Sequence, residues 1–141
     1  MLRISEASRQ AIVDEFRYVV DQMRQVAAPA DQLYFLSAAW GIIHRVFNSE
    51  YDPELVFAHQ VLSLTHSQIA SRHADPQVAA LSVMRHSTYG LIDLLETKLL
   101  ELADAWAEGL DATEILRDIA VIGYAATGNG NYLIIKGDLN L

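Results

Sequence analysis

Histidine is the residue of this sequence with the widest chemical range, because imidazole can move protons or bind metal ions near neutral pH. Three of the five histidines, His59, His66 and His73, recur every seven residues and therefore fall on one side of a predicted helix. Seven residues span about 10.5 Å of helix, whereas a bond from a metal ion to a histidine nitrogen is about 2.0–2.1 Å long. No two of these three can hold one ion, so a metal site would need one of them to meet His44, His86 or a carboxylate from another helix.

Motifs of known enzyme chemistry are missing from the sequence. There is no His-Glu-x-x-His, no Gly-x-Ser-x-Gly and no Walker motif. The lack of cysteine excludes thiol catalysis, thiolate metal sites and disulfides. The turn at Gly128-Asn129-Gly130 follows a predicted helix and precedes a predicted strand, the reverse of a dinucleotide-binding turn. We therefore assign no catalytic residue, no metal ligand and no cofactor, and the patterns do not decide whether the protein is an enzyme.

Aromatic residues are concentrated in one predicted helix–turn–helix unit between residues 34 and 57. Together with histidines they would line a small-molecule pocket between the second, third and fourth helices. The residues that we name for this pocket are Tyr34, Trp40, His44, His59, His66 and His86. The alternative is that the aromatic side chains simply fill the core and that the histidines lie at the border of an apolar face.

Carboxylates are concentrated between residues 93 and 118. This stretch contains eight acidic and two basic residues, so it carries −6 of the chain's net charge of −8. We expect a solvated acidic face, formed by Asp93, Glu101, Asp104 and Glu108. The alternatives are a divalent-cation site or a dock for a basic partner. The overall charge argues against a nucleic-acid-binding surface, which needs clustered Lys and Arg.

The first half of the chain predicts three helices from apolar residues at helical spacing. The first runs from Ser5, a good N-cap, to about Ala28, and the second runs from near Asp31 to near Phe47. The second helix is apolar almost all round, which is typical of a helix at the centre of a core or in an oligomer interface. The third begins at Asp52-Pro53, where Asp caps the free amides and Pro occupies the first helical position.

The second half predicts two or three more helices. A helix begins at Asp75-Pro76, and the pattern up to Glu108 fits either one helix or two, with a break favoured at residues 87–90 by poor helix formers. The later piece has an apolar seam at Ile92, Leu95, Leu99, Leu102 and Trp106. Gly109 ends it, and Asp111 with Glu114 resembles a capping box that opens a last helix.

The C-terminal residues 132–141 differ from the rest, because two short apolar runs flank Gly137-Asp138 as in a β-hairpin or strand. The predicted fold class is therefore all-α: a compact array of five or six helices with a short C-terminal β element. At 141 residues the chain has the length of one domain, spanning residues 1–141.

The function that these patterns favour is a non-enzymatic helical interaction module that self-associates, with a homodimer as the expected oligomer. Its support is the apolar second helix and the apolar segment Leu133–Leu141, which would be an unpaired edge in a monomer. We expect a soluble cytoplasmic protein, because no apolar run is long enough for a transmembrane helix and the N-terminus lacks a signal-peptide pattern. A further protein partner is compatible with this function, and the alternative is a small-molecule-binding protein or enzyme that uses the pocket named above.

Overall fold

Five helices make up the part of the chain that the structure, a computed structural model, describes: residues 1–74 and 88–127. The prediction of an all-α array is confirmed for these residues, which contain no strand. The predicted β element at residues 132–141 lies outside the described residues. The helices are α1 (Glu6–Met23), α2 (Pro29–Val46), α3 (Pro53–Ala74), α4 (Thr88–Ala107) and α5 (Thr113–Thr127).

Two helix starts that local capping residues predict, at Ser5 and at Asp52-Pro53, are present. The Ser5 hydroxyl accepts a hydrogen bond from the Ser8 backbone N–H at 3.2 Å and caps α1. At α3 the Asp52 carboxylate accepts from the backbone N–H groups of Glu54 and Leu55, at 2.9 and 3.4 Å. Each of these contacts joins residues two or three positions apart, so the local order of residues was enough to predict them.

The junction between α1 and α2 differs from the prediction. α1 ends at Met23 rather than near Ala28, and α2 begins at Pro29 rather than near Asp31. The Gln32 side-chain amide lies 3.4 Å from the carbonyl oxygens of both Met23 and Val26 and donates toward them, so a residue of α2 caps the end of α1. Pro29 does not merely stop α1, because its fixed φ suits the first position of the next helix.

The central helix of the described array is α4, which contacts each of the other four. Its predicted seam is confirmed, because Ile92, Leu95, Leu99, Leu102 and Trp106 are all fully buried. Gly109 follows at φ 71°, a left-handed conformation that favours glycine and ends the helix. Residues 75–87, which include the predicted start at Asp75-Pro76 and the first residue of the predicted break at 87–90, lie outside the described part of the chain, which resumes with Thr88 of α4.

The apolar second helix occupies a side of the array instead of its centre. α2 packs one face against α1 and α3 and leaves Tyr34 on the other face 73% exposed. Apolar side chains on its flanks are only partly buried and pack on the border of the core: Phe35, Ala38, Trp40, Ile42 and Phe47. Its wide apolar surface therefore reflects contact with several neighbouring helices: α1, α3 and, less extensively, α4.

The corner between α4 and α5 is held by a residue from the start of α3. The Glu54 carboxylate accepts from Trp106 Nε1 and from the Ala112 backbone N–H, each at 3.1 Å. The predicted capping box is only partly formed, because Asp111 accepts from the Thr113 N–H at 3.0 Å while Glu114 pairs with Arg117. Glu54 thus accepts from a backbone N–H at the start of α5, next to the Asp111 N–H that a capping box would pair with Glu114.

The acidic residues of α4, together with Glu108 just beyond its end, lie on the solvent side, as the solvated-face interpretation predicts. Asp93, Glu101, Asp104 and Glu108 are exposed, and two of them meet cations, Asp104 with Arg17 and Glu101 with Lys98. Glu96 is the exception, because it is 5% exposed and lies 3.3 Å from the Arg24 guanidinium. Burial raises the pKa of the Glu96 carboxyl and outweighs the opposite effect of the hydrogen bond from Arg24.

Candidate functional site

The boundary between α2 and α3 brings together four of the six residues that the sequence named for a pocket. Trp40 of α2 packs edge-on against His66 of α3, with ring centroids 4.8 Å apart. His66 Nε2 lies 2.9 Å from the Leu33 backbone oxygen. A carbonyl oxygen only accepts hydrogen bonds, so Nε2 carries the proton and the neutral ring keeps Nδ1 as an acceptor.

A second pair of rings lies along the same boundary. The centroids of His44 and His59 are 5.9 Å apart, with 39° between the ring planes. Phe47 packs against His59 on another side, at 5.8 Å. His44 is exposed and His59 is half-buried, so this pair lies at the border between the helix interface and solvent.

Both half-buried histidines are held toward their neutral forms. Desolvation is the main cause that lowers the pKa of His59, and the charge of His44 adds to it. Desolvation also lowers the pKa of His66, against a smaller opposite effect of the hydrogen bond to Leu33. At neutral pH each ring therefore retains a nitrogen with a free lone pair, which is the form that binds metal ions or accepts protons.

The remaining pocket candidates do not join these pairs. Tyr34 is exposed and its ring contacts Phe35 at 5.6 Å. His86 lies outside the described residues. Because His59 and His66 are two helical turns apart, the arrangement consists of two separate ring pairs, Trp40–His66 and His44–His59.

An apolar groove lies on the opposite side of α3, against α5. It encloses about 280 Å³ and is lined by Phe57, Gln60, Val61, Leu64, Ala120 and Tyr124, which we call the α3–α5 groove. Phe57 and Leu64 are 42% and 44% exposed at its edge. Sequence reasoning named Phe57 only as an aromatic of the α2–α3 unit and missed Leu64 and Tyr124. The seven-residue spacing of Phe57 and Leu64 was the available signal, because it places them on one helix face.

The helices α3 and α5 come close at a single glycine. A Cβ atom added to Gly123 would lie 2.9 Å from Thr65 Oγ1 and 3.0 Å from Thr65 Cα. Thr65 is itself buried and donates a hydrogen bond to the Ile119 carbonyl oxygen at 3.0 Å. The close approach leaves no room for bulky side chains between the helix axes, so Phe57, Leu64 and Tyr124 lie outside it and form the groove.

Two other kinds of site have no counterpart in the described residues. Within residues 1–74 and 88–127, no three side chains of His, Asp or Glu converge as a metal-binding group. Nor does any helix in these ranges combine the length and apolar character that a membrane span requires.

Similarity to known proteins does not indicate what this site does. The site therefore has to be interpreted from its own geometry: two pairs of rings on one side of α3 and an apolar groove on the other. When the chain was compared with family models, curated proteins and solved structures, none of them matched it.

Proposed function

We propose that this protein is a non-enzymatic helical interaction module that forms a homodimer through the α3–α5 groove. The observation that carries the proposal is the exposure of Phe57 and Leu64 beside an apolar groove. Large apolar side chains that are exposed next to one another favour contact with another protein surface, because burying them removes apolar area from water.

The charge distribution favours a second copy as the occupant of the groove. The chain carries a net charge of −8, so two copies repel each other over most approaches. All six residues that line the groove are uncharged, and α3 contains no Asp, Glu, Lys or Arg between Glu54 and Arg72. This face is where two acidic copies can meet with little repulsion.

A twofold arrangement suits the shape of this face. In a twofold dimer the same surface patch is used by both copies, so each must offer both a projection and a recess. Phe57 and Leu64 are the projections of α3, and the groove bordered by Ala120 and Tyr124 is the recess. Each copy would place its two side chains in the other's groove.

The test is the oligomeric state of the Leu64→Glu variant. We expect the untagged full-length protein to be a dimer by native mass spectrometry and by sedimentation over a range of concentrations. Leu64→Glu should be a monomer, because it would bury two unpaired carboxylates in an apolar contact. Leu64 is already partly exposed, so the variant should keep the helical circular dichroism spectrum of the wild type.

The matched control is Leu110→Glu. Leu110 is also an exposed leucine, at 53%, but it lies between α4 and α5 and outside the groove. This variant should remain dimeric. A wild type that stays monomeric at all concentrations, or a Leu64→Glu variant that dimerises as well as Leu110→Glu, would contradict the proposal. Binding to a different protein without self-association would assign the groove to a foreign partner instead.

The second candidate function is small-molecule binding at the α2–α3 boundary. It is favoured by the pairing of Trp40 with His66 and of His44 with His59, which places a second ring beside each half-buried histidine. Native mass spectrometry separates the two functions. A stoichiometric added mass that is lost in Trp40→Ala would favour the small-molecule function over the interaction module.

A further inference from the structure

His44 of α2 and His59 of α3 lie close enough to be considered as ligands of one metal ion, a pairing that the sequence spacing alone could not establish. Histidines seven residues apart on α3 cannot share an ion, so a partner from another helix is required. The structure provides one for His59, because the His44 ring centroid lies 5.9 Å from its own. His73, which lies two turns beyond His66, is exposed at the last turn of α3.

The separation of the two rings is close to that of a bound pair. Two imidazoles that bind one tetrahedral ion through bonds of about 2.0–2.1 Å have ring centroids about 5 Å apart. The observed 5.9 Å therefore requires the rings to approach by less than ~1 Å, which a small rotation of the exposed His44 side chain provides.

The surroundings of the pair favour an ion over competing interactions. In the described residues neither His44 nor His59 forms a hydrogen bond or an ion pair, so a ring nitrogen of each is available. Phe47 packs against His59 and limits the movement of its ring.

We propose that His44 and His59 form a binding site for one divalent transition-metal ion of the imidazole-preferring class, such as Zn²⁺, Ni²⁺ or Cu²⁺. No third His, Asp or Glu of the described residues joins them, so water fills the other coordination positions. Such a site is open to an external ligand, in contrast to the closed four-ligand sites that stabilise small folds. The ion would link α2 to α3 without taking part in the α3–α5 groove.

The experiment is a calorimetric titration of the untagged, chelator-treated full-length protein with Zn²⁺ at neutral pH. We expect one ion per chain with a dissociation constant in the micromolar range. His44→Ala and His59→Ala should each weaken binding by at least about tenfold, since even the loss of an outer-shell partner commonly costs about 10–100-fold. The double variant should be the weakest of the three, because each single variant keeps one imidazole ligand and the double variant keeps none.

The matched control is His73→Ala, which removes an exposed histidine of the same helix and should leave the affinity unchanged. Unchanged affinity in His44→Ala or His59→Ala, or an equal loss in His73→Ala, would overturn the proposal. A second readout uses Cu²⁺, whose electron paramagnetic resonance spectrum should show coupling to two nitrogens in the wild type and to one in each single variant. Leu64→Glu should bind the ion normally, so the metal site and the proposed dimer are tested separately.

Discussion

The two sides of α3 are packed in opposite ways. Toward α5, Gly123 brings the backbones together and Thr65 donates its hydroxyl to the Ile119 carbonyl oxygen. Toward α2, contact is made by rings, at 4.8 Å between Trp40 and His66. An interface closed by small residues uses its polar groups internally and displaces large apolar side chains to its margin. An interface closed by imidazoles leaves ring nitrogens at its margin. The two sides of α3 therefore offer different groups to a ligand: apolar side chains toward α5 and imidazole nitrogens toward α2.

The largest change in the free energy of unfolding is expected from adding a methyl group at Gly123, where α3 and α5 come closest. Gly123→Ala places a Cβ 3.0 Å from the Thr65 Cα, so the α3 and α5 backbones must separate. Overpacking of this kind costs about 1–3 kcal/mol of unfolding free energy, more than the helix propensity of alanine restores. Urea denaturation measures the loss.

Gly41→Ala is the matched control for that variant. Gly41 lies within α2, and an added Cβ there has no neighbour within 4 Å. This variant should raise the free energy of unfolding by about 0.5–1 kcal/mol, because alanine is the better helix former. If both variants changed stability in the same direction, the close approach at Gly123 would have no special role.

A smaller effect is expected from Thr65→Val. The substitution keeps the shape of the buried side chain but removes the hydrogen bond to the Ile119 carbonyl oxygen. The expected loss is about 0.5–1.5 kcal/mol of unfolding free energy. Ser63→Ala, a half-buried position on the other side of α3, should change the stability less. An unchanged midpoint in Thr65→Val would show that the hydroxyl contributes nothing to the α3–α5 contact.

The smallest expected effect is a pH dependence confined to the α2–α3 side. The pKa values of His59 and His66 are lowered in the folded protein, so the unfolded chain binds protons first. Their contribution to stability is complete above about pH 6.5, the ordinary histidine value, and is lost as the pH falls toward the lowered values. His66→Gln should therefore flatten the fall of the melting temperature over this range.

The control for the pH experiment is His73→Gln, which should keep the slope of the wild type because His73 is exposed. Glu96 acts in the opposite direction, since burial raises the pKa of its carboxyl and its protonation on acidification favours the folded state. Both variants retain Glu96, so its effect cancels when their slopes are compared. Equal slopes for His66→Gln and the wild type would show that His66 has no part in the acid sensitivity.

Local patterns carried most of what could be predicted about the fold. The Ser5 cap, the Asp52-Pro53 start and the stop at Gly109 depend on residues within one turn of each other. The apolar seam of α4 could be predicted because one helix face needs only its own sequence. The end of α1 could not, because it is capped by Gln32 from the next helix.

The candidate site was predicted as a set of residues but not as an arrangement. Periodicity places His59 on a face of α3, but only the packing register of α2 decides that His44 is the histidine it meets. For the same reason Glu54 could not be assigned to the Ala112 N–H, 58 residues away. The spacing of Phe57 and Leu64 places them on one face of α3, but which residues of α5 lie beside them depends on the close approach at Gly123.

The two tryptophans of the chain give the molecule a built-in optical probe for each of two regions. Trp106 is fully buried, packs on Phe16 at 5.7 Å and donates its indole N–H to Glu54, so its emission reports on the integrity of the core. Trp40 touches His66, and an imidazolium quenches indole fluorescence by accepting an electron from the excited ring. Replacing either tryptophan with phenylalanine leaves a single indole, whose emission can be excited selectively over that of the six tyrosines. Events at the α2–α3 boundary and unfolding of the core then become separately visible without any attached dye.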